Sequence, residues 1–137
     1  IIQLVNTEAS LQPSESKKKP AVDLVQISQR LDKKARRYRN INIASNGAID
    51  LSPCGTGTCA KMALFHFKGE LSLGEAIVNE GLNGEQFKGK IVETKKSGLY
   101  QGVIPEISGT AYITGLCHLI IDPDDPFKHG IFRASPK

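Results

Sequence analysis

The sequence contains no tryptophan, one methionine and three cysteines among its 137 residues. No apolar run approaches the roughly 20 residues that span a bilayer, and no basic-then-apolar leader opens the chain, so we expect no membrane association. Cys54, Cys59 and Cys117 show no C-x₂-C spacing, which argues against a zinc site, and they are too few for a disulfide scaffold. Because free thiols are typical of a reducing compartment, we predict a cytoplasmic protein with no metal site.

Positive charge is concentrated in one part of the chain. The formal net charge is +4, yet residues 17–39 contain nine lysines and arginines against only Asp23 and Asp32. Such a stretch can bind phosphates. It has Tyr38 as its only aromatic residue, and no helix-turn-helix, zinc-finger or RRM pattern surrounds it. We therefore interpret it as a solvated helix face and linker, and expect no nucleic-acid partner.

The first third of the chain predicts a flexible segment, a helix and a strand. Residues 1–22 form a flexible N-terminal segment in this interpretation, since 6–20 are rich in Ser, Pro and Lys. A capping box and apolar residues at helical spacing predict an amphipathic helix over 23–35. Residues 40–43 (Asn-Ile-Asn-Ile) alternate like a strand, and 45–47 supply turn chemistry.

The remaining pattern predicts a second helix followed by strands. Residues 59–68 are apolar on nearly every side, so we expect a buried helix, which would end at Gly69. Segments rich in β-branched and aromatic residues follow, separated mainly by glycines: 75–80, 86–94, 99–106 and 109–121. A central buried helix wrapped by mostly antiparallel strands is an α+β fold.

Residues 50–61 (Asp-Leu-Ser-Pro-Cys-Gly-Thr-Gly-Thr-Cys-Ala-Lys) are the most informative segment for function. Pro53 suits the entry turn of a helix, and Gly55 and Gly57 let the backbone approach a ligand closely. Cys54 would then lie at a helix N-terminus, where free N–H groups and the macrodipole favour a thiolate and attract an anion. A buried structural thiol is the alternative, but the flanking residues favour catalysis or ligand binding.

Other candidate residues are weaker. Cys59, one turn into the apolar helix, and Cys117, in a predicted strand, are expected to pack. Asp50 could bind a substrate ammonium or cap the helix entry, and its spacing from Cys54 leaves both readings open. His66 would lie roughly 18 Å along the helix from Cys54, at 1.5 Å per residue, which makes it a poor partner for the thiol.

The pattern D-x-S-P-C-G-T-G-T-x-A-K over 50–61 resembles the second-half motif of the proline racemase and hydroxyproline epimerase family. The resemblance continues through further segments, namely 68–71, 87–89, 103–107, 109–115 and 121–126. It covers about 40–133, while 1–35 resemble the family only faintly. It implies the fold of a diaminopimelate-epimerase-like lobe, with 23–137 as the C-terminal lobe of a proline racemase-like protein. The chain begins with Ile1 rather than Met, so we expect a processed chain or a piece of a longer protein.

The resemblance also implies a cofactor-independent mechanism on proline or hydroxyproline, and a homodimer in the intact family. Two cysteines flank the substrate Cα; one removes a proton as thiolate while the other delivers one to the opposite face. By resemblance Cys54 is one of this pair. Gly55 and Thr56 would hold the substrate carboxylate, and Asp50 would bind the ring nitrogen.

The other catalytic cysteine of the family lies in an earlier Cys-Gly-His segment, which these 137 residues do not contain. Cys59 cannot replace it, because it shares a helix with Cys54. Dehydratase relatives carry Thr at the position of Cys54, so the cysteine here indicates the racemase or epimerase branch. Two functions stay open: an isomerase carrying one of its two catalytic cysteines, or an inactive truncated homologue acting as an amino-acid-binding or interaction module. Nucleic-acid binding through 17–39 ranks last.

Overall fold

The computed structural model describes residues 1–8, 21–97 and 100–130. The helices and strands are α1 (Ile2–Glu8), β1 (Leu24–Asp32), β2 (Arg37–Ala44), β3 (Ile49–Asp50), α2 (Gly55–Phe67), β4 (Ala76–Glu80), β5 (Gln86–Ser97) and β6 (Tyr100–Ser108). The predicted α+β class is confirmed. No helix in these described residues is long and apolar enough to cross a membrane.

One six-stranded mixed sheet organises the chain. Its order is β1-β2-β4-β5-β6, with β3 paired to the side of β2. All pairs are antiparallel except β2 and β4, which run parallel with Arg37 opposite Val78 and Arg39 opposite Glu80. Two parallel strands need a long crossover connection. Here the crossover from β2 to β4 contains β3 and α2, and α2 begins at Gly55, shortly after β3 ends at Asp50.

The apolar core lies between α2 and the sheet. Its buried members are Tyr38, Met62, Leu71, Ile77 and Ile91. The helix ends as predicted, because Gly69 adopts φ +72°, a conformation that favours glycine. We expected α2 to be covered on all sides, but the described residues cover one side only. Its outer face includes Leu64, 48 % exposed, and Phe67, 84 % exposed.

The predicted helix over 23–35 is wrong, because this segment forms strand β1. It pairs with β2 from Leu24 opposite Ala44 to Arg30 opposite Tyr38. The expected capping box does not cap a helix: Gln26 Nε2 donates to Asn42 Oδ1 at 2.8 Å instead. The apolar spacing fits a helix over only two turns, and pairing with a β-branched neighbouring strand overrides so short a pattern.

The predicted strand over 109–121 is also wrong. This segment has no regular secondary structure, and its apolar side chains are exposed, including Ile113 at 89 % and Leu116 at 90 %. A strand needs a hydrogen-bonded neighbour, and none of the described strands pairs with it. The other three predicted strands correspond to β4, β5 and β6. In the predicted N-terminal connector, residues 6–8 belong to α1, and 9–20 lie outside the described residues.

The basic stretch is partly neutralised by glutamates from residues 70–80. Arg30 pairs with Glu70, and Arg36 with Glu75, in ion pairs that are about one-third to one-half exposed. Glu80 differs, since its carboxylate is buried to 2 % exposure and accepts from both Arg37 and Arg39 of β2. Hydrogen bonds from Arg39 and Arg37 lower the pKa of Glu80 from 4.5 to about 2. This carboxylate therefore joins the two parallel strands.

We expect Glu80→Gln to destabilise the fold at pH 7 by about 1–2 kcal/mol, since two arginines lose a buried ionic acceptor but are themselves nearly half exposed. The folded-state pKa is the lower one, so this contribution is complete above about pH 4.5 and is lost as the pH falls toward 2. Urea unfolding across pH 2–7 measures it. Glu75→Gln, in an exposed pair, serves as control and should change much less; an equal effect at both sites would contradict the account.

Candidate functional site

Cys54 is the N-cap of α2, as predicted, although the helix begins at Gly55 rather than at 59. Its backbone has φ 61° and ψ 115°, and such a conformation costs a non-glycine residue about 1–3 kcal/mol. The side chain is 6 % exposed. Its Sγ accepts the Gly57 N–H at 3.3 Å and lies 3.5 Å from Thr56 Oγ1. The thiol is thus held against the first N–H groups of the helix.

Asp50, the last residue of β3, lies partly exposed on the same loop. Its Oδ1 accepts the Ser52 N–H at 2.9 Å, and the Ser52 hydroxyl in turn accepts the Cys54 N–H at 3.1 Å. Hydrogen bonding to Asp50 by the side chain and the backbone N–H of Ser52, with a smaller contribution from Cys54, lowers the pKa of Asp50 below its ordinary value. Asp50 therefore caps the entry turn as an ionised carboxylate, and Ser52 links it to the backbone N–H of Cys54.

Gly55 and Thr56 are the first two residues of α2. A Cβ on Gly55 would meet no atom within 4 Å, so the space above it is open, and Thr56 is exposed. The first N–H groups of a helix have no partner within the helix. The structure thus brings Asp50, Cys54, Gly55 and Thr56 to one helix start with free donors and a nearby carboxylate.

Three buried asparagines support this loop from below, and we call them the amide platform: Asn40 and Asn42 of β2, and Asn79 of β4. Each is at most 1 % exposed. Asn40 and Asn79 both donate through Nδ2 to the Pro53 carbonyl, at 3.2 and 3.0 Å, and Asn42 donates to the Ser52 carbonyl at 3.4 Å. Buried carbonyls need such partners, which the irregular backbone here cannot supply.

Thr58 completes the support from inside the helix. Its hydroxyl accepts from Asn79 Nδ2 at 2.6 Å and lies 2.7 Å from the Cys54 carbonyl, to which it donates. On the outer side, the Leu82 N–H donates to the Leu51 carbonyl at 3.2 Å. Every carbonyl from 51 to 54 therefore has a donor.

Lys61 lies beneath the amide platform, buried to 6 % exposure. Its Nζ donates to Asn79 Oδ1 at 2.7 Å, to Ser28 Oγ at 2.7 Å and to Asn40 Oδ1, and lies 5.0 Å from the Tyr38 ring centroid. Among the described residues no carboxylate pairs with it. Burial lowers the pKa of this ammonium to about 8.

The sequence reasoning missed both Lys61 and the amide platform. Asn40 and Asn42 alternate with isoleucines, which would ordinarily place the apolar residues inside, but here the asparagines face inward. Lysine on a helix is ordinarily solvated. One sequence signal could have indicated the amide platform: Asn40 and Asn42 are two positions apart and therefore share one face of their strand.

Among the described residues, the side chains of Cys59, Cys117 and His66 make no hydrogen bond to the turn 51–54. Cys59 is half-buried, and burial raises the pKa of its thiol, as suits a packing residue. Cys117 is exposed in the irregular segment 109–121, so its predicted packing role is wrong. His66 Nδ1 lies 2.9 Å from the Leu71 carbonyl at the far end of α2, which confirms that it is no partner for Cys54.

We expect Gly81→Ala to destabilise the protein by about 1–3 kcal/mol, the usual range for overpacking. A Cβ on Gly81 would clash with the Leu51 carbonyl and lie 2.8 Å from the Ser52 carbonyl carbon, and backbone atoms cannot move aside as a flexible side chain can. The urea midpoint measures this change. Gly115→Ala is the control, since open space surrounds that position. A Gly81 variant as stable as the Gly115 variant would contradict the close approach.

Comparison with known proteins identifies the family. A family model described as proline racemase matches residues 1–132. The chain is 43 % identical over 130 residues to a proline racemase of Acetoanaerobium sticklandii, a match covering 95 % of this chain and 39 % of that protein. It is also 43 % identical over 96 residues to a 4-hydroxyproline 2-epimerase of Streptosporangium roseum, covering 70 % and 29 % respectively.

The fold agrees with this assignment. A crystal structure of a hydroxyproline epimerase from Agrobacterium vitis, with bound trans-4-OH-L-proline, superposes with a TM-score of 0.71 at 24 % identity, covering 96 % of this chain and 38 % of that one. The chain thus spans about two fifths or less of the length of these relatives. Because the family model matches nearly all of its residues, the chain belongs to the proline racemase family.

Proposed function

We propose that this chain carries one half of a two-thiol active site, which inverts the Cα configuration of proline or 4-hydroxyproline without a cofactor. One observation carries the proposal: Cys54 is held in a strained backbone conformation at the start of α2, with the Gly57 N–H donated to its sulfur. Strained residues cluster at functional sites, and the hydrogen bond from Gly57 fixes the sulfur at the open start of the helix.

The surroundings of Cys54 suit the two charges of a free amino acid. The substrate carboxylate would bind at the start of α2, on the N–H groups of Gly55 and Thr56 and on the Thr56 hydroxyl, where the helix dipole favours an anion. The ring ammonium would bind the carboxylate of Asp50, whose lowered pKa keeps it ionised. Cα would then lie between them, close to the sulfur of Cys54.

The reaction moves one proton off the substrate and another onto it. The Cys54 thiolate takes the Cα proton and becomes a thiol, and the electron pair of the broken C–H bond delocalises into the carboxylate. A second thiol on the opposite face then delivers its proton to Cα and becomes a thiolate. The product has the inverted configuration, and the two sulfurs have exchanged protonation states. In the reverse direction the roles are exchanged.

The second thiol is not supplied by the other cysteines. Cys59 lies on the helix that Cys54 caps, so it cannot reach the opposite face of the substrate. Cys117 is exposed in the irregular segment 109–121, and it lies in no motif that matches the family. The 137 residues contain no Cys-Gly-His segment, and they span 39 % of the Acetoanaerobium sticklandii relative. We therefore propose that the opposing cysteine belongs to a part of the protein outside these 137 residues. From the family we further propose that the protein is a homodimer in the cytoplasm.

The competing proposal is an inactive homologue that binds an amino acid or a partner without turnover. The observation that favours it is the lack of an opposing thiol within these 137 residues. It shares the same binding groups, Asp50, Gly55 and Thr56, and differs in giving Cys54 no chemical role.

We expect the 137 residues alone not to racemise L-proline or 4-hydroxyproline, as followed by polarimetry, because a single thiol serves only one face of Cα. Turnover that survives Cys54→Ser would contradict the family chemistry as a whole. Turnover abolished by Cys54→Ser, but not by Cys59→Ser, would contradict only the half-site. A longer form of the protein that includes a Cys-Gly-His segment should racemise, and should lose turnover on Cys54→Ser.

The two proposals separate in that longer form. An isomerase racemises and loses turnover on Cys54→Ser while Cys59→Ser remains active. An inactive homologue shows no turnover even when both thiols are present. Pyrrole-2-carboxylate, a planar mimic of the deprotonated substrate, still protects its Cys54 from alkylation by iodoacetamide.

A further inference from the structure

The ammonium of Lys61 makes as many hydrogen bonds as it has N–H donors. A protonated lysine has three N–H donors and no acceptor. Three oxygens receive them here, one from each of the strands β1, β2 and β4: Ser28 Oγ, Asn40 Oδ1 and Asn79 Oδ1. The Tyr38 ring lies against the same ammonium with its centroid 5.0 Å away. A buried cation with all three donors used is held in one position.

This arrangement determines which way two buried amides face. An amide side chain can be turned over so that its oxygen and nitrogen exchange places. Because Lys61 offers only donors, the oxygens of Asn40 and Asn79 must face it, and both nitrogens then face the other way. There they donate to the single carbonyl oxygen of Pro53, at 3.2 and 3.0 Å.

The consequence of removing the ammonium follows from the same geometry. Without Lys61, the two amide oxygens would be buried without a donor. Turning either amide over would place its oxygen against the Pro53 carbonyl, where two acceptors repel each other. The turn 51–54 would lose the hydrogen bond of whichever amide turned over, and this turn contains the strained φ of Cys54.

We propose that Lys61 is a positioning residue for Cys54: it orients the amides of Asn40 and Asn79, which hold the Pro53 carbonyl and so keep the thiol at the start of α2. Lys61 itself touches neither Cys54 nor the face where a substrate would bind. The structural part of this inference stands on the hydrogen bonds alone. Its catalytic consequence rests on the proposed function.

Amide hydrogen exchange measured by NMR on the 137-residue chain tests the structural part. Lys61→Met removes the three donors and keeps an unbranched side chain of similar length. We expect exchange of the Gly57 and Thr58 N–H groups, which donate to Cys54, to become at least about tenfold faster. The Glu70 N–H, which donates to Phe65 at the far end of the helix, should change by less than about twofold.

A second variant and a control separate positioning from simple loss of a buried contact. Asn79→Asp keeps an acceptor for Lys61 but replaces the donor to Pro53 and Thr58 with another acceptor, so it should accelerate the same two N–H groups. Ser28→Ala removes one partner of Lys61 without touching the amide platform, and it should leave both rates within about twofold. If Lys61→Met does not fold, Asn79→Asp tests the amide support through which Lys61 would act, and unchanged exchange of the same two N–H groups would overturn the inference.

The possible results each decide something. Acceleration confined to Gly57 and Thr58 supports the inference. Equal acceleration along the whole of α2 in Lys61→Met would show a general loss of stability and would overturn the inference. Exchange rates in Lys61→Met that match those of Ser28→Ala would overturn it as well. In a longer form of the protein that racemises proline, Lys61→Met should lower kcat about tenfold and change KM by less than about threefold. If no form racemises while the local acceleration is seen, the proposed function fails and the positioning role remains.

Discussion

The carbonyl oxygen of Pro53 is the acceptor on which the site depends. Proline has no N–H to offer, so this turn cannot be held by its own backbone at that point. Asn40 and Asn79 donate to this oxygen at 3.2 and 3.0 Å, and the Thr58 hydroxyl, which donates to the Cys54 carbonyl, lies 3.3 Å from it. Each such bond contributes roughly 0.5–1.5 kcal/mol net, so together they offset a backbone strain of about 1–3 kcal/mol at the neighbouring Cys54.

The sheet topology makes this convergence possible. Asn40 and Asn79 lie on β2 and β4, which are far apart in sequence and become neighbours only through their parallel pairing. The same pairing is joined at its end by Glu80 and the arginines of β2. Gly81, directly after β4, then lets the backbone pass close to residues 51–53. The crossover that connects the two strands contains α2, so one topological feature brings together the helix start, the amide platform and the cation beneath it.

Local sequence signals predicted the parts of the site that depend on neighbouring residues. Proline, glycine and threonine around Cys54 predicted a helix start, and Gly69 predicted where the helix ends, because both are set by backbone chemistry within a few residues. The helix over 23–35 and the strand over 109–121 were wrong for the opposite reason. A segment becomes a strand only if another strand pairs with it, and pairing depends on residues elsewhere in the chain. The inward-facing asparagines and Lys61 were missed because three strands and a helix must meet before a buried polar group can be satisfied.

The central claim is that side-chain amides hold the Pro53 carbonyl. Scalar couplings transmitted across hydrogen bonds test it directly, through NMR of the chain labelled with ¹⁵N and ¹³C. The account predicts measurable couplings from the Nδ2 nitrogens of Asn40 and Asn79 to the carbonyl carbon of Pro53. If these couplings are absent while those of the backbone ladder between β4 and β5 are observed, the Pro53 carbonyl is not held this way and the account is wrong.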